Sequence, residues 1–544
     1  MKKIGKRFNL KLVLPELLLV ALFVLSRAPS LGHDNFNTDV WKWKSRSYDF
    51  GTGVFTLDFN KTLQKYHPGV TLMWVGTVGV KVFNFYADHV NGGIDLNSTF
   101  AVFGLDTVQK FLVVFVIGVA LALCFYPMRQ LFGGGFALVV ITLVAFEPFY
   151  IALTRVFHLE GMLSTFMLAS ALWLFYYFYT KKTWHLLLSG TLAGFAILTK
   201  TSAVYLLPFT GLTLVLWNLK ESHKFGEALK KSMFPFLKWL GVLVAAFVLF
   251  WPVMWVNPIT AIQTMYRGIS VIGVEREHEQ FYFDQFTTDP GFSYYFVVLA
   301  FRVSILLFVG LVGALFTFKK LKNEKLQNFV LFLVIFTGFY LIQLTLPSKK
   351  LDRYVIPTIL SLALISAIFY YWLAGKIRFN SYLKYAIFLL FATAPMYYLH
   401  PDYFSYYNPL FGGLAKGIHV IEPKWLIGAN EITDYFDKLA TQDGDTRIYQ
   451  NKSLEEIIAS GEINDVQTVG FQEKYYTQIW PFFREKGMFA IIQDLTPFAA
   501  RAKYFVYPVW DDTGATENRF PLTKIGIIKV RGVDVYNVYE RKSL

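Results

Sequence analysis

Long apolar runs, separated by shorter polar and basic segments, recur along the first 400 residues of the chain. A run of roughly 20 apolar residues is long enough to cross about 30 Å of hydrocarbon as an α-helix. Eleven such runs lie at residues 12–30, 108–127, 132–152, 162–180, 185–199, 202–218, 234–256, 294–318, 328–346, 354–373 and 384–399. The pattern therefore predicts a polytopic α-helical membrane protein with about 11 transmembrane helices.

The pattern changes after residue 400. Residues 430–439 have the spacing of a helix, whereas 502–510 and 524–539 are rich in β-branched and aromatic residues, as strands are. We expect two domains. Residues 1–400 form the transmembrane domain, with long outer loops at 27–107 and 257–293. Residues 401–544 form a soluble extracytoplasmic α/β domain.

Composition supports a lipid-embedded chain. Hydrophobic residues make up 55% of the 544 residues and charged residues 17%, against about 25% charged residues in a typical soluble domain. These values exclude a disordered chain and argue against a soluble enzyme. Cys124 is the only cysteine, so neither an intrachain disulfide nor a cysteine metal cluster can form.

The distribution of charge predicts the orientation in the membrane. Residues 401–544 contain 16 Lys and Arg against 19 Asp and Glu, so the basic excess lies in residues 1–400. Cytoplasmic loops are enriched in Lys and Arg. Basic residues occupy alternate short loops, at Arg129, 181–182, 220–231, 319–325 and 376–384. We therefore expect a multi-pass protein of the inner or plasma membrane with a cytoplasmic N-terminus, membrane lipids as partners and no nucleic-acid partner.

Most of the unusual polar residues fall on the predicted outer face. They are His33, Asp34, Asp39, His67, Arg155, His158, Glu160, Lys200, the charged run 275–284, Lys349, Lys350, Asp352 and Arg353. Carboxylates gathered from distant loops suit general acid–base chemistry. Cations in short outer loops run against the positive-inside rule, and a phosphate group at the membrane surface would compensate them.

Each of these features also has a plain structural interpretation. Lys349 and Lys350 can extend to lipid headgroups at a helix end. Arg155 and Glu160 can form an ion pair at a helix end. The run 275–279 resembles a metal cluster, but it lacks ligand spacing such as HExxH, so a solvated loop is the favoured interpretation.

Five motifs in order resemble the membrane-embedded C-type glycosyltransferases of the protein O-mannosyltransferase and aminoarabinose-transferase group. The first is an Asp in the first outer loop, here TDVWKWKSRS with Asp39, followed by Val40 where the family usually has Glu. Asp34 is the other carboxylate available to this motif, and the spacing to the aromatic and Arg–Ser residues favours Asp39. The remaining motifs are YHPGVTLMW, TRVFHLEGML, GTLAGFAILTK and KKLDRYVIP.

This resemblance implies a polyprenyl-phosphate sugar donor and an inverting glycosyltransferase of the C-type fold. The acceptor is unknown and could be a protein, a lipid or a glycan. On this hypothesis Asp39 is the catalytic base. The remaining predicted site residues are Arg155, Lys200 and Arg353 on the donor phosphate, and His67, Glu160 and Asp352 as groups that orient the substrate. We expect no required cofactor and no defined metal site, although a divalent metal near Asp39 and Glu160 is compatible with the pattern.

Two alternatives remain open at this point. A lipid-linked sugar flippase or transporter would carry ionisable residues along a path through the membrane midplane, whereas here they gather at one face. An oligosaccharide ligase that uses a polyprenyl-pyrophosphate donor would need a similar set of cations. The number of cations does not separate a monophosphate from a diphosphate.

Overall fold

The computed structural model describes residues 10–542, except 91–92, 96–97, 273–278, 443–451, 453, 462–466, 494–498 and 517. The predicted cluster at 275–278 lies outside these residues. The helices up to residue 400 are α1 Leu10–Arg27, α2 Val40–Phe55, α3 Val70–His89, α4 Thr99–Phe132, α5 Gly134–Ala145, α6 Pro148–Thr154, α7 Leu159–Thr180, α8 Thr183–Thr199, α9 Leu206–Ser222, α10 Phe225–Phe250, α11 Val253–Val256, α12 Pro258–Arg267, α13 Tyr294–Arg302, α14 Ile305–Phe318, α15 Glu324–Thr345, α16 Ile356–Lys376 and α17 Ser381–Leu399.

Within the described residues, seven helices are long and apolar enough to cross a membrane, or up to nine if each of two bent pairs is one span. Eight of the eleven predicted spans coincide with helices of this set. The other three are helical as well: α8 has 17 residues, α1 carries Lys11, Glu16 and Arg27, and α17 carries a lysine and a proline. The chain is a multi-pass membrane protein.

The first predicted outer loop, 27–107, contains two helices that the apolar pattern did not indicate. One of them, α3, meets the length and hydropathy limits for a span. Its neighbours place it beside one end of α4. The Gln109 side chain donates a hydrogen bond to the carbonyl of Gly76, and Phe83 lies against Gly104. Helix α1 instead runs beside the other part of α4, where Glu16 pairs with Arg129 at 2.7 Å.

Two bent helix pairs meet at a single buried carboxylate. The pair α5 and α6 bends by 68°, and the pair α13 and α14 bends by 114°. Glu147, in the first break, accepts hydrogen bonds from the backbone N–H of Ser304 at 2.8 Å and from its hydroxyl at 2.7 Å, in the second break. Breaking a helix leaves backbone groups without partners, and this carboxylate satisfies one of them. The contact fixes the direction of α6, which leads into the residues of the candidate site.

The C-terminal part is an α/β domain, as predicted. Its helices are α18 Gly413–Val420, α19 Ala429–Gln442, α20 Leu454–Ser460, α21 Glu473–Glu485 and α22 Thr513–Thr516, and its strands are β3 Thr468–Phe471, β4 Phe489–Ile492, β5 Tyr504–Pro508, β6 Leu522–Val530 and β7 Val533–Arg541. A short hairpin, β1 Gln280–Tyr282 with β2 Gln285–Thr287, belongs to the second outer loop.

The five strands of the C-terminal domain lie in the order β4-β3-β5-β7-β6. Strand β3 is parallel to both β4 and β5, while β7 is antiparallel to β5 and to β6. The predicted strand at 524–539 is a hairpin. Its turn is formed by Arg531 and Gly532, which both have positive φ angles of 52° and 80°, as the two central residues of a tight hairpin turn require.

Helix α21 of this domain covers the first outer loop. The Trp41 indole N–H donates to the carbonyl of Thr477 at 2.6 Å, and Phe36 packs edge-on against Phe482 with ring centroids 5.8 Å apart. The buried apolar residues of the helical part and of the sheet domain form one continuous core cluster. The domain boundary predicted at residue 400 therefore separates two folding patterns that share a packed interface.

Candidate active site

Asp39 stands immediately before α2, near the start of the first outer loop. Its carboxylate makes no side-chain capping bond to the helix. About a third of the side chain is exposed, and one oxygen lies 3.9 Å from His158 Nε2. Lys42, one turn into the helix, is 3.8 Å away. The helix N-terminus favours a negative charge here. Asp39 is thus an accessible carboxylate held at a fixed position.

Asp34, five residues earlier, is in a different environment. It is buried and pairs with Lys110 at 2.8 Å and with Arg155 at 2.9 Å. Burial by itself raises the pKa of Asp34, but the charges of Lys110 and Arg155 outweigh burial and hold the pKa below its usual value. A carboxylate paired in this way anchors the loop and leaves no lone pair directed at a substrate.

Arg155, predicted to bind the donor phosphate, has every nitrogen of its guanidinium engaged. Nε donates to Asp34 at 3.0 Å, and the two terminal nitrogens donate to the carbonyls of Arg27 and Pro29. The structure does not bring Arg155 into contact with Lys200 or Arg353. Its geometry favours a structural role in holding the outer loop, and its role toward phosphate stays a prediction.

Three charged residues from distant parts of the chain meet at the ends of their helices. Glu160 lies in the first turn of α7, Lys200 ends α8, and Arg353 belongs to a short 3-10 turn, Asp352–Val355, that precedes α16. Lys200 Nζ is 2.6 Å from Glu160 Oε1, and Arg353 Nε is 4.0 Å from the same oxygen. One carboxylate therefore faces two cations.

We name this group the open cluster (Glu160, Lys200 and Arg353). Not all of its hydrogen-bond donors have a partner in the part of the chain that the structure describes. Arg353 Nε has no hydrogen-bond partner among the described residues, although the atom is buried. Aromatic rings cover the cations: Lys200 Nζ lies 3.8 Å from the centroid of Tyr354, and the Arg353 guanidinium lies 5.3 Å from that of Trp425. Such contacts stabilise a cation without neutralising it.

Two histidines near the open cluster, the buried His158 and the partly buried His67, have lowered pKa values. Burial, followed by the charges of Lys200, Lys349 and Arg46, lowers the pKa of His67 to about 3. Burial, then Arg353 and Lys200, lowers the pKa of His158 well below its usual value. Both rings are neutral at physiological pH. His67 Nδ1 lies 3.1 Å from the Thr201 hydroxyl.

A cavity of about 460 Å³ opens beside Lys200. Its polar side includes His67, Lys200 and Lys349, and the rest is mainly apolar and aromatic. The aromatic and apolar lining residues include Val204, Tyr205, Tyr295, Tyr340, Leu344 and Tyr354. A cavity lined by cations together with mainly apolar and aromatic side chains suits a lipid that carries a phosphate.

Asp352, predicted to orient the substrate, lies next to Arg353 but turns to a different partner. Its carboxylate accepts from Arg302 at 2.8 Å, and its second oxygen accepts the backbone N–H of Arg353 at 2.7 Å. The structure therefore places Asp352 as a support for the turn that presents Arg353.

Sequence reasoning placed His158 on the outer face but not in the site, and it omitted Trp425. The ring of His158 lies 5.0 Å from that of Trp425, whose residue belongs to the C-terminal part. His158 stands two residues before Glu160, and this spacing could have included it in the site. Trp425 could be found only from the fold, because nothing near it in the sequence points to the membrane domain.

In the part of the chain that the structure describes, no group of three or more His, Cys, Asp or Glu side chains is arranged to hold a metal ion. The charged groups near Asp39 are mainly cations. Their chemistry suits an anion such as phosphate, while metal dependence stays untested.

Comparison with known proteins supports the resemblance. The family model of the dolichyl-phosphate-mannose-protein mannosyltransferases matches residues 96–255. Similar solved structures include ArnT from Cupriavidus metallidurans bound to undecaprenyl phosphate, with 13% identity, a TM-score of 0.48 and coverage of 97% of this chain and 98% of that chain. AglB from Archaeoglobus fulgidus, an archaeal oligosaccharyltransferase in complex with an inhibitory peptide and a dolichol-phosphate, has 12% identity, a TM-score of 0.42 and coverage of 93% and 70%.

No curated protein matches the sequence significantly. The family match confirms the predicted resemblance to the mannosyltransferase group and the assignment as a glycosyltransferase. The predicted fold class, a polytopic helical protein with a C-terminal α/β domain, is also confirmed.

Proposed function

We propose that this chain, a glycosyltransferase that resembles the dolichyl-phosphate-mannose-protein mannosyltransferases over residues 96–255, transfers a sugar from a polyprenyl monophosphate to an acceptor at the outer face of the membrane. The observation that carries the proposal is the open cluster. Two cations share one carboxylate, and one of them, the buried Lys200, lines a cavity with mainly apolar walls. A phosphate on a prenyl chain supplies both the missing negative charge and an apolar tail.

The chemistry follows from the placement of charge. The acceptor hydroxyl oxygen forms a bond to the anomeric carbon, the bond from that carbon to the phosphate oxygen breaks, and the hydroxyl proton passes to Asp39. The leaving polyprenyl phosphate gains one negative charge in this step. In this proposal Lys200 and Arg353 stabilise that growing charge, because stabilisation of charge that develops in the transition state lowers the barrier most. A single displacement inverts the anomeric configuration.

Glu160 has a supporting role in this mechanism. Its carboxylate holds Lys200 at 2.6 Å and limits the positive potential before the donor binds. The neutral rings of His67 and His158 can donate or accept hydrogen bonds without adding charge. Both rings are therefore suited to orienting the donor or the loop that carries Asp39.

The outer-face assignment rests on charge asymmetry. The helix ends that carry Glu160, Lys200 and Arg353 form the site. The opposite ends of the same helices are followed by exposed lysines such as Lys181, and the loops nearby carry Lys220 and Lys320. Because basic loops face the cytoplasm, the site faces outward.

A cysteine-labelling experiment tests this orientation. In a Cys124→Ser background, whose thiol is buried, a cysteine replacing Lys529 should react with an impermeant thiol reagent on intact cells. A cysteine replacing Lys322 should react only after lysis. Equal labelling of both positions on intact cells would contradict the proposed orientation.

A donor panel tests the reaction itself. Purified protein in lipid nanodiscs is incubated with radiolabelled polyprenyl-monophosphate and polyprenyl-pyrophosphate sugars, and the released carrier is measured. We expect release of polyprenyl monophosphate. Release from the pyrophosphate donors alone would favour the ligase alternative. Movement of labelled lipid between leaflets without release would favour a flippase.

A further inference from the structure

A large polar cleft lies in the C-terminal domain, away from the cavity beside Lys200. Its volume is about 870 Å³. Three of its lining residues follow the three mutually parallel strands: Gln472 comes directly after β3, Gln493 directly after β4, and Asp511 three residues after β5. The cleft is therefore at the carboxyl edge of the parallel strands, where open α/β sheets commonly bind ligands.

The charges that line the cleft are nearly balanced, and four of them pair with one another. The acidic members are Glu279, Glu422, Glu473 and Asp511, and the basic members are Lys424, Lys474 and Arg519. Lys424 lies 2.5 Å from Glu422, and Lys474 lies 3.5 Å from Glu422 and 3.8 Å from Asp511. A phosphate or nucleotide would need cations in excess, and this cleft does not provide them.

The remaining lining groups suit a ligand rich in hydroxyl groups. Gln472 donates to Asp511 at 3.0 Å, while the amide oxygens of Gln472 and Gln493 have no hydrogen-bond partner among the described residues. Phe286, Tyr507 and Phe520 add aromatic surface. A sugar hydroxyl both donates and accepts, so it can pair with amides and carboxylates after small side-chain rotations, while sugar rings cover the aromatic faces.

A short segment joins this cleft to the catalytic region. Glu422 and Lys424 line the cleft. The next residue, Trp425, contacts the ring of His158 at 5.0 Å and the Arg353 guanidinium at 5.3 Å. Lys424, which lines the cleft, is therefore adjacent in sequence to Trp425, the side chain that covers Arg353 in the open cluster.

We infer that this cleft binds a neutral oligosaccharide, as the recognition site for a glycan-bearing acceptor. The identification of that glycan as the acceptor rests on the proposed glycosyltransfer, whereas the binding of a saccharide does not. The C-terminal domain would then select the acceptor, while the membrane domain holds the donor.

Saturation-transfer difference NMR on the full-length protein in nanodiscs tests the inference. The probes are maltotriose, mannotriose and chitotriose at millimolar concentration. Inorganic phosphate, which has no proton signal of its own to observe, is added as a charged competitor. We expect binding of at least one trisaccharide, weakened about tenfold or more in Gln472→Ala and Gln493→Ala. Gln442→Ala, an exposed glutamine at the end of α19, is the matched control and should bind as the unchanged protein does.

A second variant distinguishes a blocked cleft from a protein that fails to fold. Thr513 is an exposed residue at the cleft, and Thr513→Trp should obstruct the cleft while the thermal unfolding temperature stays unchanged. Absence of binding by all three trisaccharides would overturn the inference. Binding that survives both glutamine variants and Thr513→Trp, or displacement of the trisaccharide by inorganic phosphate at equal concentration, would do so as well.

Donor binding, measured on the same preparations, separates this inference from the proposed function. The cleft variants should bind a polyprenyl-phosphate sugar normally, and Lys200→Ala should bind it poorly. Trisaccharide binding without any donor binding would defeat the proposed function and leave the saccharide site standing. Donor binding without trisaccharide binding would defeat only the cleft inference.

Discussion

Two buried charge clusters adjoin the first outer loop, and they differ in whether their charges are satisfied. The open cluster has one carboxylate for two cations, one of which is 4.0 Å away. The other, which we name the closed cluster, joins five residues through ion pairs of 2.7–2.9 Å. Its members are Asp34, Lys44, Asp106, Lys110 and Arg155.

Both clusters are made of acidic and basic residues. The closed cluster has the features of a structural network, and the open cluster has those of a binding site. In the closed cluster each cation has a carboxylate partner within hydrogen-bond distance, and Arg155 also satisfies two carbonyls. In the open cluster Arg353 Nε lacks a partner among the described residues, and a cavity adjoins Lys200. A buried cation without a complete partner is costly, so the open cluster is the one that calls for a ligand.

The largest expected effect on turnover is at the base, outside both clusters. Asparagine keeps the shape of Asp39 but cannot accept a proton at neutral pH. Asp39→Asn should still bind the polyprenyl-phosphate donor, while turnover falls by about 10²–10⁴, the usual contribution of general base catalysis. Donor binding and turnover are measured on the same preparation. Unchanged turnover at saturating donor would move the search for the base to Glu160.

Breaking the closed cluster should cost stability. Asp34→Asn leaves Arg155 buried without its carboxylate and Lys110 with only Asp106, and loss of one partner of a buried pair costs about 3–5 kcal/mol. We expect a lower midpoint of thermal unfolding in detergent, with reduced activity that follows the folded fraction. A variant as stable as the unchanged protein, but inactive, would make Asp34 the base in place of Asp39.

Breaking the open cluster should affect donor use. Lys200→Ala or Arg353→Ala removes a charge-assisted hydrogen bond to phosphate, which contributes about 1.5–3 kcal/mol. We therefore expect kcat/KM for the donor to fall roughly 10- to 100-fold. Lys322→Ala is the matched control, because Lys322 lies in an exposed loop away from the cluster. Normal kinetics in folded samples of both variants would show that these cations do not bind phosphate.

The smallest expected effect is the dependence of folding stability on pH. The pKa of His67 in the folded chain is about 3, below its ordinary value of about 6.5. Above pH 6.5 the ring is neutral in both states and has no effect. Between pH 6.5 and 3 the unfolded chain binds the proton and the folded chain does not, so stability falls as pH falls, by up to about 1.4 kcal/mol per pH unit.

His67→Gln should therefore lose less stability than the unchanged protein between pH 6.5 and 5, as measured by thermal unfolding in detergent. Parallel curves for the two proteins would show that His67 does not carry this dependence. The closed cluster contains no histidine.

Much of the fold could be predicted from the sequence because lipid imposes a strong length rule on apolar helices. The strands at 502–510 and 524–539 could also be predicted, because β-branched and aromatic residues are concentrated there. Helices α2 and α3 were missed, since polar and apolar residues alternate less regularly in an interfacial segment. The two helix breaks at Glu147 and Ser304 were also missed, because their partners lie 157 residues apart.

The candidate site was predicted residue by residue, but the sequence did not reveal how the residues pair. Asp39, Glu160, Lys200 and Arg353 were named from motifs, and the structure brings the last three together. Arg155, which stands in the same motif as Glu160, was grouped with Lys200 and Arg353 because it shares their charge and their place on the predicted outer face. Only the fold shows that Asp34 and two carbonyls occupy its guanidinium, since hydrogen-bond partners depend on direction as well as proximity.

Helix α4 has a consequence for the height at which chemistry takes place. It is a continuous helix of 34 residues, about 51 Å long, whereas the hydrocarbon core is about 30 Å thick. One end is fixed by Glu16 and Arg129. Lys110, which holds Asp34, lies 19 residues away, about a third of the way in from the other end. The helix therefore separates these two ion pairs by about 28 Å, close to the thickness of the hydrocarbon core, and so fixes the position of the loop that carries Asp34 and Asp39 relative to the lipid.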